Sequence, residues 1–178
     1  MFVFYSLESC IHQIESQFFF MNIKDEDFIS HCEQQLLNNI SPSLEGKTNV
    51  ANMTDWKFFL KDDRFNDFLQ NQFFVLVDKH SKFFGHGPAG SDVSVGDAWG
   101  VKLTKGQETK PHDHKGYNYA SVMFFGEGTP LCTPERQFMP ARGKIITFPG
   151  YIVHWVPPIQ EEQRLSLAWN WTNAPKWN

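Results

Sequence analysis

Cysteine is scarce in this sequence, which contains only Cys10, Cys32 and Cys132. The number is odd and no two of them form a Cys-x-x-Cys pair, so neither a disulfide framework nor a cysteine zinc site is indicated. Unpaired cysteines are typical of proteins that stay in a reducing compartment. We therefore expect a cytoplasmic protein without disulfide bonds.

Long apolar runs and an excess of basic charge are also absent. No apolar run approaches the ~20 residues that a membrane-spanning helix needs. The apolar start at Met1 lacks the basic flank of a secretory signal and is interrupted by Glu8 and Glu15. The formal net charge is −4, which argues against a dedicated nucleic-acid surface. We expect neither a membrane nor a nucleic acid as the main partner.

Internal repeats and low-complexity linkers are missing as well, so the 178 residues predict one structural domain. The character of the chain changes near residue 85, where Phe84 is followed by a segment rich in glycine and proline. Before this break, Phe28, Ile29 and Cys32 begin an apolar stripe at helical spacing. We expect residues 1–90 to form an N-terminal helical support region and residues 91–178 to form the β core that carries the site.

Short β-like segments follow the break and are separated by glycine and proline turns. They cover residues 99–104, 118–125, 144–148, 152–156 and 164–171. This pattern is typical of a sandwich or jelly roll. The fold class predicted is mainly β (α+β), with the N-terminal helices packed on one sheet.

The last of these segments has two distinct faces. Alternate residues of a strand point to opposite sides of a sheet. One face is apolar and consists of Leu165, Leu167, Trp169 and Trp171; the other is small or polar and consists of Arg164, Ser166, Ala168 and Asn170. We expect the apolar face to pack against helices or another layer, and the polar face to line a cavity. A guanidinium in a cavity requires an anion, because burying it unpaired is costly.

Two histidine segments suggest a metal site. His112 and His114 are one residue apart, and on a strand this spacing sends both imidazoles to the same side, with Asp113 pointing away. His154 follows a strand that ends at Pro149, and its position predicts a second strand that begins with an inward-facing histidine. Neutral imidazole suits iron, zinc, copper and nickel.

These segments resemble a known family. Pro111-His112-Asp113-His114, the strand 143–149 with His154, and Arg164-Leu165-Ser166 are similar to the double-stranded β-helix of the iron(II)- and 2-oxoglutarate-dependent dioxygenases. The resemblance covers residues 97–171 and is greatest to a small subgroup with a Pro-His-x-His signature, which bacteria and phages both encode. The distance of 10 residues from His154 to Arg164 matches the family's usual spacing.

The resemblance implies a role for each matching residue. His112 and His154 match the iron-binding histidines, while Arg164 and Ser166 match the pair that binds the distal carboxylate of 2-oxoglutarate. A guanidinium offers a carboxylate two parallel donors, which a lysine cannot. The implied cofactors are Fe(II) and 2-oxoglutarate as co-substrate. The implied activity is hydroxylation of an unknown small-molecule or macromolecular substrate, with release of succinate and CO2.

One position departs from the family pattern. The usual facial triad has two histidines and one carboxylate, and His114 occupies the carboxylate position here. Either His114 is the third ligand, or the strand is kinked and Asp113 supplies it. Strand parity favours His114. Three neutral imidazoles would leave the full charge of the metal to attract an anionic co-substrate.

Further candidates lie on the same two strands. Tyr117, Tyr119 and Ser121 share a face, with Asn118 opposite. These residues either pack as an ordinary strand or bring a hydroxyl to the co-substrate. Asn170 lies on the polar face of the last strand.

Two other classes of function compete with an oxygenase. A cupin-type three-histidine metalloprotein would not use 2-oxoglutarate, but the glutamate of the first cupin motif is missing from residues 115–120 and Arg164 would be unexplained. A non-catalytic jelly-roll binding module would bind no metal tightly. The sequence leaves the oligomeric state open.

Overall fold

The structure is a computed structural model that describes residues 4–7, 10–15, 17–41, 52–80, 84 and 91–175. It contains twelve strands in these ranges: β1 Phe4–Leu7, β2 Cys10–Glu15, β3 Phe18–Ile23, β4 Asn52–Met53, β5 Ser91–Thr104, β6 Thr109–His112, β7 Tyr119–Phe124, β8 Leu131–Cys132, β9 Gln137–Phe138, β10 Lys144–Pro149, β11 His154–Val156 and β12 Gln163–Pro175. The helices are α1 Glu26–Asn38, α2 Asp63–Phe68 and α3 Phe74–Lys79. A 3-10 turn at Phe59–Lys61 precedes α2, and a π-helical turn at Leu69–Phe73 joins α2 to α3.

Aspartate caps begin the first two helices. The carboxylate of Asp25 accepts a hydrogen bond from the amide of Phe28 at 2.9 Å, and Asp62 does the same for Phe65 at 2.9 Å. Such caps satisfy amides that have no partner inside the helix. None of the helices that the structure describes is long and apolar enough to cross a membrane.

The strands form two antiparallel sheets. The large sheet has the order β1-β2-β3-β10-β7-β12-β5-β4, and the small sheet has the order β6-β11-β8-β9. The non-sequential neighbours are those of a jelly roll, and the fold is a double-stranded β-helix. The prediction of a mainly β fold with helices on one sheet is confirmed.

Two apolar clusters lie on opposite sides of the large sheet. One joins α1, α2 and α3 to the sheet and includes Leu165, Leu167, Trp169 and Trp171. The other fills the space between the two sheets and includes Trp99, Val122, Phe148 and Val156. The predicted apolar face of β12 therefore packs against the helices, which leaves its opposite face directed between the sheets.

The prediction of a helical region over residues 1–90 is wrong for its first part. Strands β1, β2 and β3 precede α1, and β3 pairs with β10 so that Ile146 lies opposite Phe20. Strand β4 also joins the large sheet, at the edge of β5. A short apolar run such as that of β3 has no periodicity that separates a buried strand from a buried helix.

Gly143 fixes the entry into β10. Its φ is +76°, and a Cβ there would collide with the carbonyl oxygen of Ile23, whose amide donates to the Gly143 carbonyl at 2.8 Å. Gly106 has a similar φ of +83° but no neighbour within 4 Å of such a Cβ. We expect Gly106→Ala to cost about 1–2 kcal/mol for its left-handed backbone alone. Gly143→Ala should cost about 1–3 kcal/mol more, because the packed strand must shift.

Urea denaturation of the two variants measures this difference in the free energy of unfolding. Equal losses at both positions would show that the contact with Ile23 does not constrain the strand.

Candidate metal centre

Three imidazoles meet at one end of the space between the sheets. His112 ends β6 and His154 begins β11, and the two residues lie directly opposite each other in the pairing of these strands. His114 lies in the turn after β6, where its amide donates to the carbonyl of Gly150 at 2.7 Å. One nitrogen from each ring lies within 4.8 Å of one nitrogen from each of the others.

The reason that His112 and His114 meet differs from the prediction. They were expected to share one face of a strand, but β6 ends at His112 and His114 is outside it. The turn instead packs against Gly150, where a Cβ would collide with the carbonyl oxygens of His114 and Tyr117. The close approach of a glycine therefore holds His114 beside the other two rings.

Hydrogen bonds orient two of the rings. Nδ1 of His112 is 2.7 Å from the carbonyl oxygen of Lys110, and Nδ1 of His154 is 3.0 Å from that of Ile152. A carbonyl can only accept, so Nδ1 carries the proton in both rings and Nε2 keeps its lone pair. This arrangement is typical of histidines that bind a metal through Nε2.

Burial keeps the rings of His114 and His154 neutral. Removal from water, with a smaller contribution from His112, lowers the pKa of His154 to about 3 and that of His114 to about 4. A neutral imidazole is the form that binds a metal. The edge of the Phe148 ring also packs on His154, with the centroids 4.9 Å apart.

Asp113 does not join the three rings. Its carboxylate is 2.8 Å from the ammonium of Lys115, and the hydrogen bond from Lys115 lowers the pKa of Asp113. Among the described residues, the group with metal-ligand geometry consists of His112, His114 and His154 and contains no carboxylate. The geometry thus favours His114 over Asp113 as the third ligand.

Arg164 lies in the same cavity as the three histidines. Only 5% of the residue is exposed, its Nε donates to the carbonyl of Thr129 at 3.0 Å, and the guanidinium lies over the ring of Phe124 at 5.3 Å. Its Nη2 is buried without a hydrogen-bond partner. Burial lowers the pKa of Arg164 to about 10, so the group remains a cation at neutral pH.

No carboxylate among the described residues forms an ion pair with this cation. Glu161 is the nearest acid in electrostatic terms, but its oxygens accept from the amide and the hydroxyl of Thr129, both at 2.8 Å. None of the ion pairs among the described residues includes Arg164. A buried cation with an unused donor indicates an external anion.

The cavity encloses about 490 Å³, including its open mouth. Its lining joins the polar face of β12, namely Arg164, Ser166, Ala168 and Asn170, to the three histidines. The predicted orientation of this face is confirmed. Most of the remaining lining is apolar, as with Trp99, Val101, Leu131 and Val156.

Two hydroxyls of the predicted set bond away from the cavity. The Ser121 hydroxyl pairs with that of Thr147 at 2.8 Å and accepts from Nε1 of Trp171 at 3.0 Å. The Tyr119 hydroxyl donates to the carbonyl of Phe84 at 3.0 Å. Ser121 borders the cavity, but its hydroxyl is committed to Thr147 and Trp171 on the helix side of β7. Tyr119 does not line the cavity.

Tyr117 and Asn118 lie outside the cavity lining, as Tyr119 does. The Tyr117 hydroxyl donates to Asp97 at 2.6 Å, and the side-chain Oδ1 of Asn118 accepts from the backbone amide of Asn173 at 3.0 Å. These contacts connect strand ends beside the centre.

Trp99 and Thr129 contribute to the site but were not predicted. The Trp99 ring lies 5.8 Å from that of His114, and Thr129 orients Arg164. The alternation of β5 placed Trp99 on one face of a strand, but nothing in it indicated that this face lines the cavity. Thr129 lies in a loop without regular periodicity, so no sequence pattern indicated its carbonyl.

Comparison with known proteins gives structural neighbours only. No protein-family model matches the chain, and no curated protein matches it in sequence. The 2-oxoglutarate complex of the viral collagen prolyl hydroxylase vCPH from Paramecium Bursaria Chlorella virus-1 matches with a TM-score of 0.67 and 12% identity, over 89% of this chain and 97% of that one.

Two bacterial structures have the same architecture. HygX from Streptomyces hygroscopicus, with nickel and 2-oxoglutarate bound, matches with a TM-score of 0.66 and 8% identity, over 91% of this chain and 84% of HygX. A Pseudomonas putida prolyl-4-hydroxylase matches with a TM-score of 0.56 and 14% identity, over 85% and 88% of the two chains. At these identities the comparison establishes the fold, which is that of the 2-oxoglutarate oxygenases.

Proposed function

We propose that this protein is an iron(II)- and 2-oxoglutarate-dependent oxygenase. The observation that carries the proposal is Arg164, a buried guanidinium with an unpaired Nη2 in the cavity that also holds three imidazoles. A metal site and a separate anion site in one cavity fit a ligand with a chelating end and a distal carboxylate. The fold of the structural neighbours supports the same conclusion.

His112, His114 and His154 would hold the iron. Imidazole is a suitable ligand for Fe(II), and Lys110 and Ile152 fix two of the rings with Nε2 free. The donor set is neutral, so the full charge of the metal acts on anionic ligands. This charge favours a keto acid over neutral molecules in the remaining coordination positions.

Arg164 and Ser166 would bind the distal carboxylate of 2-oxoglutarate. Because Nε of Arg164 already donates to Thr129, the guanidinium is held in one orientation and Nη2 is available to an anion. Ser166 lies one pleat further along the same face of β12 and is also buried. A co-substrate fixed at both ends needs little further ordering before reaction.

The apolar walls exclude water from the reacting end. Trp99, Val101, Leu131 and Val156 surround the polar groups, so charges inside the cavity interact more strongly than in water. Iron with bound 2-oxoglutarate would supply the oxidising chemistry: the keto acid would lose CO2 and become succinate by taking one oxygen atom of dioxygen, and the other atom would go to the substrate. The chain's own contribution is to bind, orient and shield.

The substrate would approach from the side of His112 and His114. Both residues are partly exposed, whereas His154 is buried with 4% of its surface accessible. The co-substrate would fill the buried end at Arg164. A small molecule or a side chain of a macromolecule would then reach the centre through the mouth of the cavity.

The three-histidine donor set itself favours one alternative, a cupin-type metalloprotein that does not use 2-oxoglutarate. That function gives no role to the unpaired Nη2 of Arg164 in the same cavity. It also predicts that 2-oxoglutarate neither binds nor reacts.

The proposal is tested by measuring succinate formed from 2-oxoglutarate in air, with the protein loaded with Fe(II). We expect slow succinate formation even without the prime substrate. The matched control is the same protein loaded with Zn(II), which suits imidazole ligands but has no redox chemistry. No difference between the iron and zinc samples would contradict the proposal.

A further inference from the structure

The three imidazoles are not supported in the same way. His112 and His154 each direct Nδ1 at a backbone carbonyl, whereas Nδ1 of His114 has the side-chain amide of Asn170 as its neighbour, with Nδ2 at 3.3 Å. Asn170 is on the cavity face of β12 and only 3% of the residue is exposed. The third imidazole is thus contacted by a side chain of the large sheet rather than by a backbone carbonyl.

The Asn170 amide is poorly satisfied in the orientation shown. Its Oδ1 is buried without a hydrogen-bond partner, while Nδ2 faces a ring nitrogen. An amide that donates to Nδ1 requires the His114 proton to be on Nε2, which blocks the nitrogen left for a metal. The two ends of an amide have nearly the same shape, so turning it by 180° exchanges them. Oδ1 would then accept from Nδ1–H of His114 and free Nε2.

An aspartate lies directly opposite Asn170 in the large sheet. Asp97 is its cross-strand partner on β5, and directly opposite residues have Cβ atoms about 4.5–5.5 Å apart. Asp97 shares strand parity with Trp99, which lines the cavity. It also accepts from the Tyr117 hydroxyl at 2.6 Å.

A β-bulge in β5 lies next to Asp97. The register changes from Asn170 opposite Asp97 to Trp171 opposite Val95, so Gly96 is an extra residue in β5. Such bulges redirect side chains and are frequent beside active sites. The missing Cβ at Gly96 also leaves room for the Tyr117 ring that holds Asp97.

We propose that Asn170 is a positioning residue for His114, with Oδ1 accepting from Nδ1–H of His114 and Nδ2 donating to Asp97. This inference rests on the proposed three-histidine metal centre. The carboxylate that is missing among the metal ligands would lie two hydrogen bonds beyond His114, through Asn170, and is held by Tyr117. Its negative charge would partly offset the charge of a metal bound by neutral ligands.

Metal affinity measures the first consequence. We expect Asn170→Leu, a change of similar volume, to weaken anaerobic Fe(II) binding by about 10–100-fold, as loss of such outer hydrogen bonds does. The double variant Asn170→Asp with Asp97→Asn should restore most of the affinity, because a carboxylate at 170 accepts from Nδ1–H and an amide at 97 donates to that carboxylate. Asp97→Asn should weaken binding by about 10-fold. The matched control is Asn22→Leu, the same change at an exposed position of β3 outside the cavity, which should bind iron like the wild type.

The second measurement is the tautomer of His114, that is, which ring nitrogen carries the proton. A general packing defect would not change this tautomer. Nitrogen-15 NMR of the Zn(II)-loaded protein should show the proton on Nδ1 of His114 in the wild type and in the double variant Asn170→Asp with Asp97→Asn. Asn170→Leu should lose the hydrogen-bonded Nδ1–H signal. If the wild type binds metal and Asn170→Leu has the same affinity and the same Nδ1–H signal, the role of Asn170 is wrong but the proposed metal centre stands. A wild type that binds no metal would overturn the centre as well.

Discussion

Replacing Arg164 by lysine should remove most of the thermal stabilisation that 2-oxoglutarate gives to the iron-loaded protein. Arg164 combines a fixed orientation, through Thr129, with an unpaired Nη2 in the cavity. Lysine keeps the charge but loses the planar set of donors, so it cannot hold both Thr129 and a carboxylate in the same geometry.

The size of this effect follows from mass action. At a concentration of about 100 times the dissociation constant, 2-oxoglutarate should stabilise the wild type by roughly 2.7 kcal/mol. For a domain of this length that corresponds to a rise in Tm of roughly 5–11 °C. Differential scanning fluorimetry under nitrogen measures the rise with and without the keto acid. We expect Arg164→Lys to retain only a small fraction of it.

Arg136→Lys is the matched control, because Arg136 pairs with Glu15 and lies over Phe18 and Phe138, away from the cavity lining. This variant should respond to 2-oxoglutarate like the wild type. A full rise in Tm for Arg164→Lys would mean that the keto acid, if bound, is held elsewhere.

Removing His154 should have the largest effect on metal binding. His154 is buried, is oriented by the carbonyl of Ile152 and faces both other imidazoles. His154→Ala removes a ligand that no described side chain can replace. We expect Fe(II) affinity to fall by more than about 100-fold, beyond the effect of losing an outer hydrogen bond. Anaerobic iron titration followed by elemental analysis measures the loss.

Two further variants decide the third ligand. His114→Ala should lose metal as His154→Ala does, whereas Asp113→Asn should bind normally because that carboxylate pairs with Lys115. His31→Ala is the histidine control, since His31 pairs with Asp62 outside the cavity. Retention of iron by His114→Ala with loss in Asp113→Asn would place a carboxylate in the centre.

The orientation of β12 could be predicted from sequence because its pattern is regular. Strict alternation in Arg164–Trp171 separates an apolar from a polar face, and each face lies where it was predicted, against the helices or in the cavity. Two-residue periodicity is a direct consequence of strand geometry. The general fold class followed from the same kind of pattern, repeated between turns.

Other parts of the site depend on tertiary contacts that no local pattern contains. His114 reaches the centre through a turn packed on Gly150, and Thr129 orients Arg164 from a loop. Ser121 was a candidate for contact with the co-substrate, but its hydroxyl is used on the helix side of β7. The alternation of β7 predicted which side chains share a face, but it did not predict which face is turned towards the cavity.

The most direct test is a crystal structure of the protein grown with Mn(II), as an oxygen-stable substitute for iron, and 2-oxoglutarate. We predict anomalous density for one metal bound by His112, His114 and His154, with the distal carboxylate of the keto acid on Nη2 of Arg164. A metal bound through Asp113, or a filled metal site with no anion at Arg164, would contradict this account.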